Sequence, residues 1–355
     1  MSPARSAPAL LALALSACAA SPRPTPPPPT ACTGDSTLPA ARERAVLAGA
    51  HWLAAYLADP AHLADLGSDG PAIFLELGET SPSPAVREVA LAEARRLAAL
   101  LLPRLVAPGA LADRDELFHA VSLLADAEAL GIAPEALGER VRAGLAAWAA
   151  PAAFYGAATD TPAALSADAL FYAFVNAYGV DKLALDHPWA APARALDRLL
   201  PFVRDRPYVA WAADGPAYAR FWDDFYLATH VFFVLGDYGR LRVDPRRAPA
   251  VWDYLRAQLP AAMALRSVDL VAELVEVWRL AGHTEGDDPL LCEGAHFLVA
   301  AQHDDGSWGD WRHEERPYFA AHPTWTAVHA LRDRRPLGDT LFARRLAAIL
   351  STPPR

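Results

Sequence analysis

The residues best equipped for chemistry sit in a few short segments that mix acids, histidines and aromatics. Phe221-Trp222-Asp223-Asp224-Phe225-Tyr226-Leu227-Ala228-Thr229-His230 places carboxylates and an imidazole among large apolar side chains, where an unpaired charge is costly to bury. Asp223, Tyr226 and His230 stand at i, i+3 and i+7 and share one helical face, with Asp224 beside them. Asp269, Glu273 and Glu276 stand at i, i+4 and i+7 as an acidic stripe, and His322 and His329 lie two helical turns apart. Three chemistries suit these types. Asp224 and Glu273 could serve as general acid and base on a glycan. His119, His230 and His329 with Glu273 could hold a divalent metal, since imidazole and carboxylate suit zinc or a similar ion, although no His-Glu-x-x-His string is present. Trp222, Tyr226 and Trp325 could line an apolar pocket for a lipid. Plainer readings stand beside these: a satisfied core His230, a solvated stripe at Asp269 to Glu276, and His322 as a helix flank.

Helices must position these groups, because strand signals are nearly absent and hairpin turns between β-branched runs are missing. Helix starts are marked by X-Pro steps that put proline in the first turn, where its missing N–H costs nothing: Ser83-Pro84, Ala133-Pro134, Thr161-Pro162, His187-Pro188, Asp244-Pro245, Asp288-Pro289 and His322-Pro323. Ends are marked by Gly131, Gly179, Gly236 or Gly239, and Gly282, since glycine takes the left-handed C′ conformation freely. Together these marks predict an all-α chain of about twelve helices, near 40–58, 68–79, 84–106, 113–130, 134–150, 164–178, 188–205, 218–236, 246–262, 267–281, 288–303 and 322–333. A short tail helix near 339–350 follows. Gly49-Ala50-His51-Trp52-Leu53 recurs as Gly294-Ala295-His296-Phe297-Leu298, which suggests a helical repeat.

The second copy continues to Val299-Ala300-Ala301-Gln302-His303-Asp304-Asp305-Gly306-Ser307-Trp308. This segment resembles the QW repeat of the terpene cyclase and protein prenyltransferase superfamily, except that Glu293 stands where the repeat has a basic residue. In that repeat Gln302, Gly306 and Trp308 would form a structural brace, not a catalytic site. The resemblance implies a single (α/α)6 toroid whose even-numbered helices line one cavity. They would bring together Asp224, His230, Asp269, Glu273, His329 and His119 as candidate catalytic residues, with Asp126, Asp168, Tyr172 and Asn176 on the same walls. A closed ring also sets Cys32 near Cys292, so a disulfide can join them; the alternative is one buried thiol and one free thiol. The family's catalytic acids do not carry over. The nearest string to Asp-x-Asp-Asp is Glu285-Gly286-Asp287-Asp288, and Asp288 before Pro289 reads as a helix N-cap. No Asp-Asp-x-x-Asp and no Asp/Cys/His or paired-cysteine zinc set is present.

The amino terminus bears on location. Arg5, the apolar run Ala7 to Ala14 and Leu15-Ser16-Ala17-Cys18 form a secretion signal ending in a string that resembles the bacterial lipobox. Residues 1–17 are then a signal peptide, Cys18 is the lipidation site, 18–36 are a proline-rich spacer and 37–350 form the domain. An ordinary signal peptide is the alternative. Lipidation implies a membrane partner through the acyl chains and a place in the cell envelope, the outer membrane being favoured because Ala19, not Asp, follows the cysteine. The net charge of −10 and the absence of a basic stripe argue against nucleic acid. Two functional readings remain: an envelope enzyme acting on a surface glycan, peptide or lipid, and a non-catalytic binding or scaffold lipoprotein.

Overall fold

A computed structural model describes residues 36–107, 109–148, 154–155, 163, 165–183, 195–211, 216–338 and 343. Cys18 and Cys32, the Thr161-Pro162 and His187-Pro188 steps and nearly all of the expected tail helix lie outside them. Among the described residues there are fourteen α-helices and no strand: α1 (Leu38–Tyr56), α2 (Pro60–Leu66), α3 (Asp69–Thr80), α4 (Pro84–Leu105), α5 (Arg114–Ala125), α6 (Ala127–Leu130), α7 (Pro134–Ala147), α8 (Ala167–Lys182), α9 (Ala195–Asp205), α10 (Pro216–Leu235), α11 (Pro249–Ala264), α12 (Val268–Leu280), α13 (Pro289–Ala301) and α14 (Pro317–Leu331).

The local reasons are legible at the ends. Ser83, Ser166, Ser267 and Asp288 accept backbone N–H bonds as N-caps of α4, α8, α12 and α13, and Gly131 closes α6 at φ 71°. Several expected boundaries need correction. Asp244-Pro245 starts only a 3₁₀ turn, and α11 begins at the next proline, Pro249. Gly179 lies inside α8, which runs on to Lys182. The stretch 113–130 breaks at Asp126 into α5 and α6. His322 is not a flank: α14 starts five residues earlier, at Pro317, and absorbs Pro323 in its interior.

Contacts between helices define two sets. α3, α5, α8, α10, α12 and α14 pack side by side in that order. α14 returns to α3 through His329 Nε2, which donates to the Ile73 carbonyl at 3.0 Å, and through Arg332 Nε, which donates to Thr80 Oγ1 at 3.1 Å. The second set, α1, α4, α7, α9, α11 and α13, packs against neighbours in the first. The chain of contacts closes where α1 meets α13 and α14. There, Gln302 Nε2 donates to the carbonyls of Ala45 on α1 and Gly306 in its own loop, both at 2.9 Å. Trp308, fully buried, donates through Nε1 to Leu298 O at 2.7 Å. Gly306 has φ 90°, and a Cβ there would sit 2.6 Å from Ala48 O, so a side chain would meet both strain and a clash. Cys292 is fully buried and disulfide-bonded.

One end of the first set is sealed by charge. Near the carboxyl ends of all six helices, Asp126 meets Lys182 at 2.9 Å and Arg240 at 3.6 Å, and Asp237 meets Lys182 at 3.5 Å. Arg240 pairs with Glu79 at 2.7 Å and Glu76 at 3.8 Å, while Glu276 pairs with Arg332 at 3.6 Å and with Arg334. Cations gathered at helix carboxyl termini oppose the negative ends of the helix dipoles. Asp237 and Tyr238 adopt φ of 46° and 48° to turn into this network, a strained conformation for non-glycine residues that tertiary packing must hold.

A candidate metal centre at the open end

At the opposite end, the amino-terminal halves of the same helices carry partly exposed polar side chains. Asp269, in the first turn of α12, is the hub. Its Oδ1 accepts from His322 Nδ1 of α14 at 2.7 Å and from Thr326 Oγ1 at 3.1 Å, and its Oδ2 accepts from Tyr226 OH of α10 at 2.7 Å. Glu273, one turn on and 1% exposed, accepts a short hydrogen bond from Thr229 Oγ1. Asp269, Glu273 and His322 each place one donor atom within 4.8 Å of the others, and they form the one such group of three among the described residues. His322 stacks on Tyr318 and meets Trp325 edge-on, with ring centroids at 5.5 and 5.3 Å. Asp69 opens α3 within electrostatic reach of His322 and accepts no hydrogen bond from the described residues.

The charge states follow from burial and pairing. Burial opposes charge on His322, yet Asp269, with Glu273 and Asp69 behind it, pushes the imidazole up to about 9. Burial would raise Asp269, but His322, Tyr226 and Thr326 hold it below the usual carboxylate range. Glu273 rises to about 8 through burial and the neighbouring Asp269 charge, and Asp69 rises to about 7 through burial. At neutral pH this end therefore holds an ionised Asp269–His322 pair beside carboxyls that resist ionisation. Asp223 is pushed up to about 6 by burial and by the charges of Asp168 and Asp224.

The expected set is thus only partly assembled. Asp269 and Glu273 come together, with His322 in place of the three expected histidines. Asp224 is corrected: it points into the 206–209 segment, 3.2 Å from Arg206 and accepting from Val209 N at 2.9 Å, because it lies one residue off the face that carries Tyr226. His329 sits deeper, 3% exposed, between Ile73 O and Glu76. Asp126 belongs to the ion-paired end. His119 is anchored to Ser68, and His230 lies beside the centre with its Nδ1 on the Tyr226 carbonyl at 2.8 Å; neither joins the donor group. Sequence reasoning had no hold on Asp69, Thr229, Thr326 or Ser68. The i, i+3, i+7 run His322, Trp325, His329 did carry a signal, since it marks one face of an uninterrupted helix.

Fold and site together define an all-α protein with an acid–imidazole cluster at one end of a packed set of helices and an ion-paired network at the other. The chain belongs to the family described as Domain of unknown function (DUF6895), whose model matches residues 72–335. That span holds Asp269, Glu273, His322, His119 and His230; α1, α2 and Asp69 precede it. No curated protein and no solved structure matches the chain.

Proposed function

We propose that this protein is an envelope-anchored enzyme with an α/α-toroid domain, built around a divalent metal held by Asp269, Glu273 and His322 and acting on cell-surface material. The observation that carries the reading is the gathering of these three donors, from two helices, at the open end. The donor chemistry fits a zinc-like ion. Tyr226 and Thr326 orient Asp269 and Thr229 orients Glu273, as outer partners do for metal ligands. A bound cation would displace the proton that burial keeps on Glu273, since metal ligands bind deprotonated. Bound there, such an ion polarises a substrate oxygen and acidifies water. Around it, Tyr318 and Trp325 fix the His322 ring, and Asp69 is the carboxylate free to accept a proton.

The toroid is supported by the closed order of helix contacts and by the QW-type brace at Gln302, Gly306 and Trp308. A tether from a lipidated Cys18 would enter α1 at Leu38, near the ion-paired end, where Arg42 bonds Leu331 O at 3.1 Å. The open end would then face away from the bilayer, which favours a glycan or peptide over a lipid of the same membrane. No helix among the described residues is long and apolar enough to cross a membrane.

Elemental analysis of the detergent-extracted protein, followed by zinc titration after chelation, tests the metal. One equivalent is expected, lost in Glu273→Gln and Asp269→Asn. A protein that purifies metal-free and binds no zinc would favour the second reading, a non-catalytic scaffold. The three hydrogen bonds that Asp269 already accepts are the observation on that side.

A further inference from the structure

Two histidines on the first helix set are locked in opposite tautomers by groups whose direction is not negotiable. The backbone N–H of Ser68 can only donate, and it lies 3.2 Å from His119 Nδ1, with the Ser68 hydroxyl at 3.0 Å. Nδ1 therefore carries the lone pair, and the ring proton is on Nε2. The carbonyl of Tyr226 can only accept, and it lies 2.8 Å from His230 Nδ1. Here the proton is on Nδ1 and the lone pair on Nε2. Burial disfavours the charged form of both rings, lowering His119 and holding His230 down to about 3. Neither Nε2 has a partner among the described residues, and neither is sealed from solvent. One is thus a fixed donor and the other a fixed acceptor.

The seats of both rings are built. Gly67 has φ 55°, and a Cβ there would lie 2.3 Å from His119 Cε1, so the turn before α3 is shaped around the imidazole. His119 shares the α5 face of Asp115 and Ser122 by i+4 and i+3 spacing. His230 meets Phe171 and Phe233 edge-on at 4.7 and 5.0 Å.

We propose that His119 and His230 read an uncharged envelope glycan, each at its own point along the sugar chain, with His119 Nε2–H donating to one sugar oxygen and His230 Nε2 accepting from a sugar hydroxyl. Sugar hydroxyls, which both donate and accept, answer both polarities. An anion would meet Asp69, Asp168, Asp223 and Asp269, all partly exposed, and an ammonium group offers nothing to the His119 N–H. Phe171, Tyr172, Tyr226 and Tyr318 are partly exposed as well and supply faces for sugar C–H groups. The inference rests on the open-end site of the proposed function but not on its metal, so binding is measured on chelator-treated protein.

Long-range proton–nitrogen correlation spectra of histidine-labelled protein at pH 7, assigned through His119→Gln and His230→Gln, should show an Nε2–H ring and an Nδ1–H ring respectively. The reverse tautomer or an imidazolium at either position overturns the proposal. Calorimetry with the N-acetylglucosamine tetramer should show binding that weakens about tenfold in His119→Phe and in His230→Phe, as loss of one hydrogen bond requires. No binding by the wild type, unchanged affinity in both variants, or binding of penta-alanine in place of the tetrasaccharide also overturns it. Retained sugar binding in a protein that takes up no zinc counts against the metal alone.

Discussion

Asp126 shows how single side chains report on the ion-paired end. Burial would raise its pKa, but Lys182 and Arg240 hold it lower than usual, so the folded state binds this proton less readily than the unfolded chain. Its contribution is then fully present above the unfolded value of about 3.9 and is lost as pH falls through the lower folded value. Denaturant unfolding of wild type and Asp126→Asn should differ by about 3 kcal/mol at pH 7, the cost of breaking a buried pair, and the gap should narrow below about pH 4. His329 acts in the same direction: burial first, then Arg332, hold its pKa well below the ordinary imidazole value, so its protonation in the unfolded chain also favours unfolding in acid. Asp269 and Glu273 were legible as candidates because i, i+4 spacing on a helix needs no tertiary knowledge. Asp224 misled because adjacent residues on a helix point about 100° apart, and only packing decides which one faces inward.

At the scale of elements, proline and serine or aspartate caps set most helix starts, since a cap acts within one turn of its own position. The failures share a cause. Pro323 and Gly179 look like boundaries locally, but α14 and α8 are long, well-packed helices, and burial along their faces outweighs one lost backbone bond or one flexible residue. α2 went unread although Asp59 caps it before Pro60, because seven residues are too few to show periodicity. The brace can be tested directly. Trp308→Ala should destabilise by about 3–5 kcal/mol through the cavity it leaves, measured by denaturant unfolding. Gly306→Ala should also destabilise, although it only adds a methyl group, because of φ 90° and the nearby Ala48 carbonyl.

For the whole molecule, the all-α class followed from composition and helix punctuation, whereas the order in which helices meet required long-range contacts that no local pattern encodes. The proposed anchor belongs to this scale too. Wild type should incorporate labelled palmitate and Cys18→Ser should not; a serine variant that still labels would refute lipidation at that residue. The meeting of α1 with α13 and α14 has one more consequence. Because Arg42, near the start of α1, touches Leu331 O and Asp333 just past α14, the order in which the helices are synthesised is not the order that holds them together. A circularly permuted gene, joining residue 338 to residue 36 by a short flexible linker and opening between Gly131 and Ile132, should give a protein with the same helical circular dichroism and the same zinc stoichiometry.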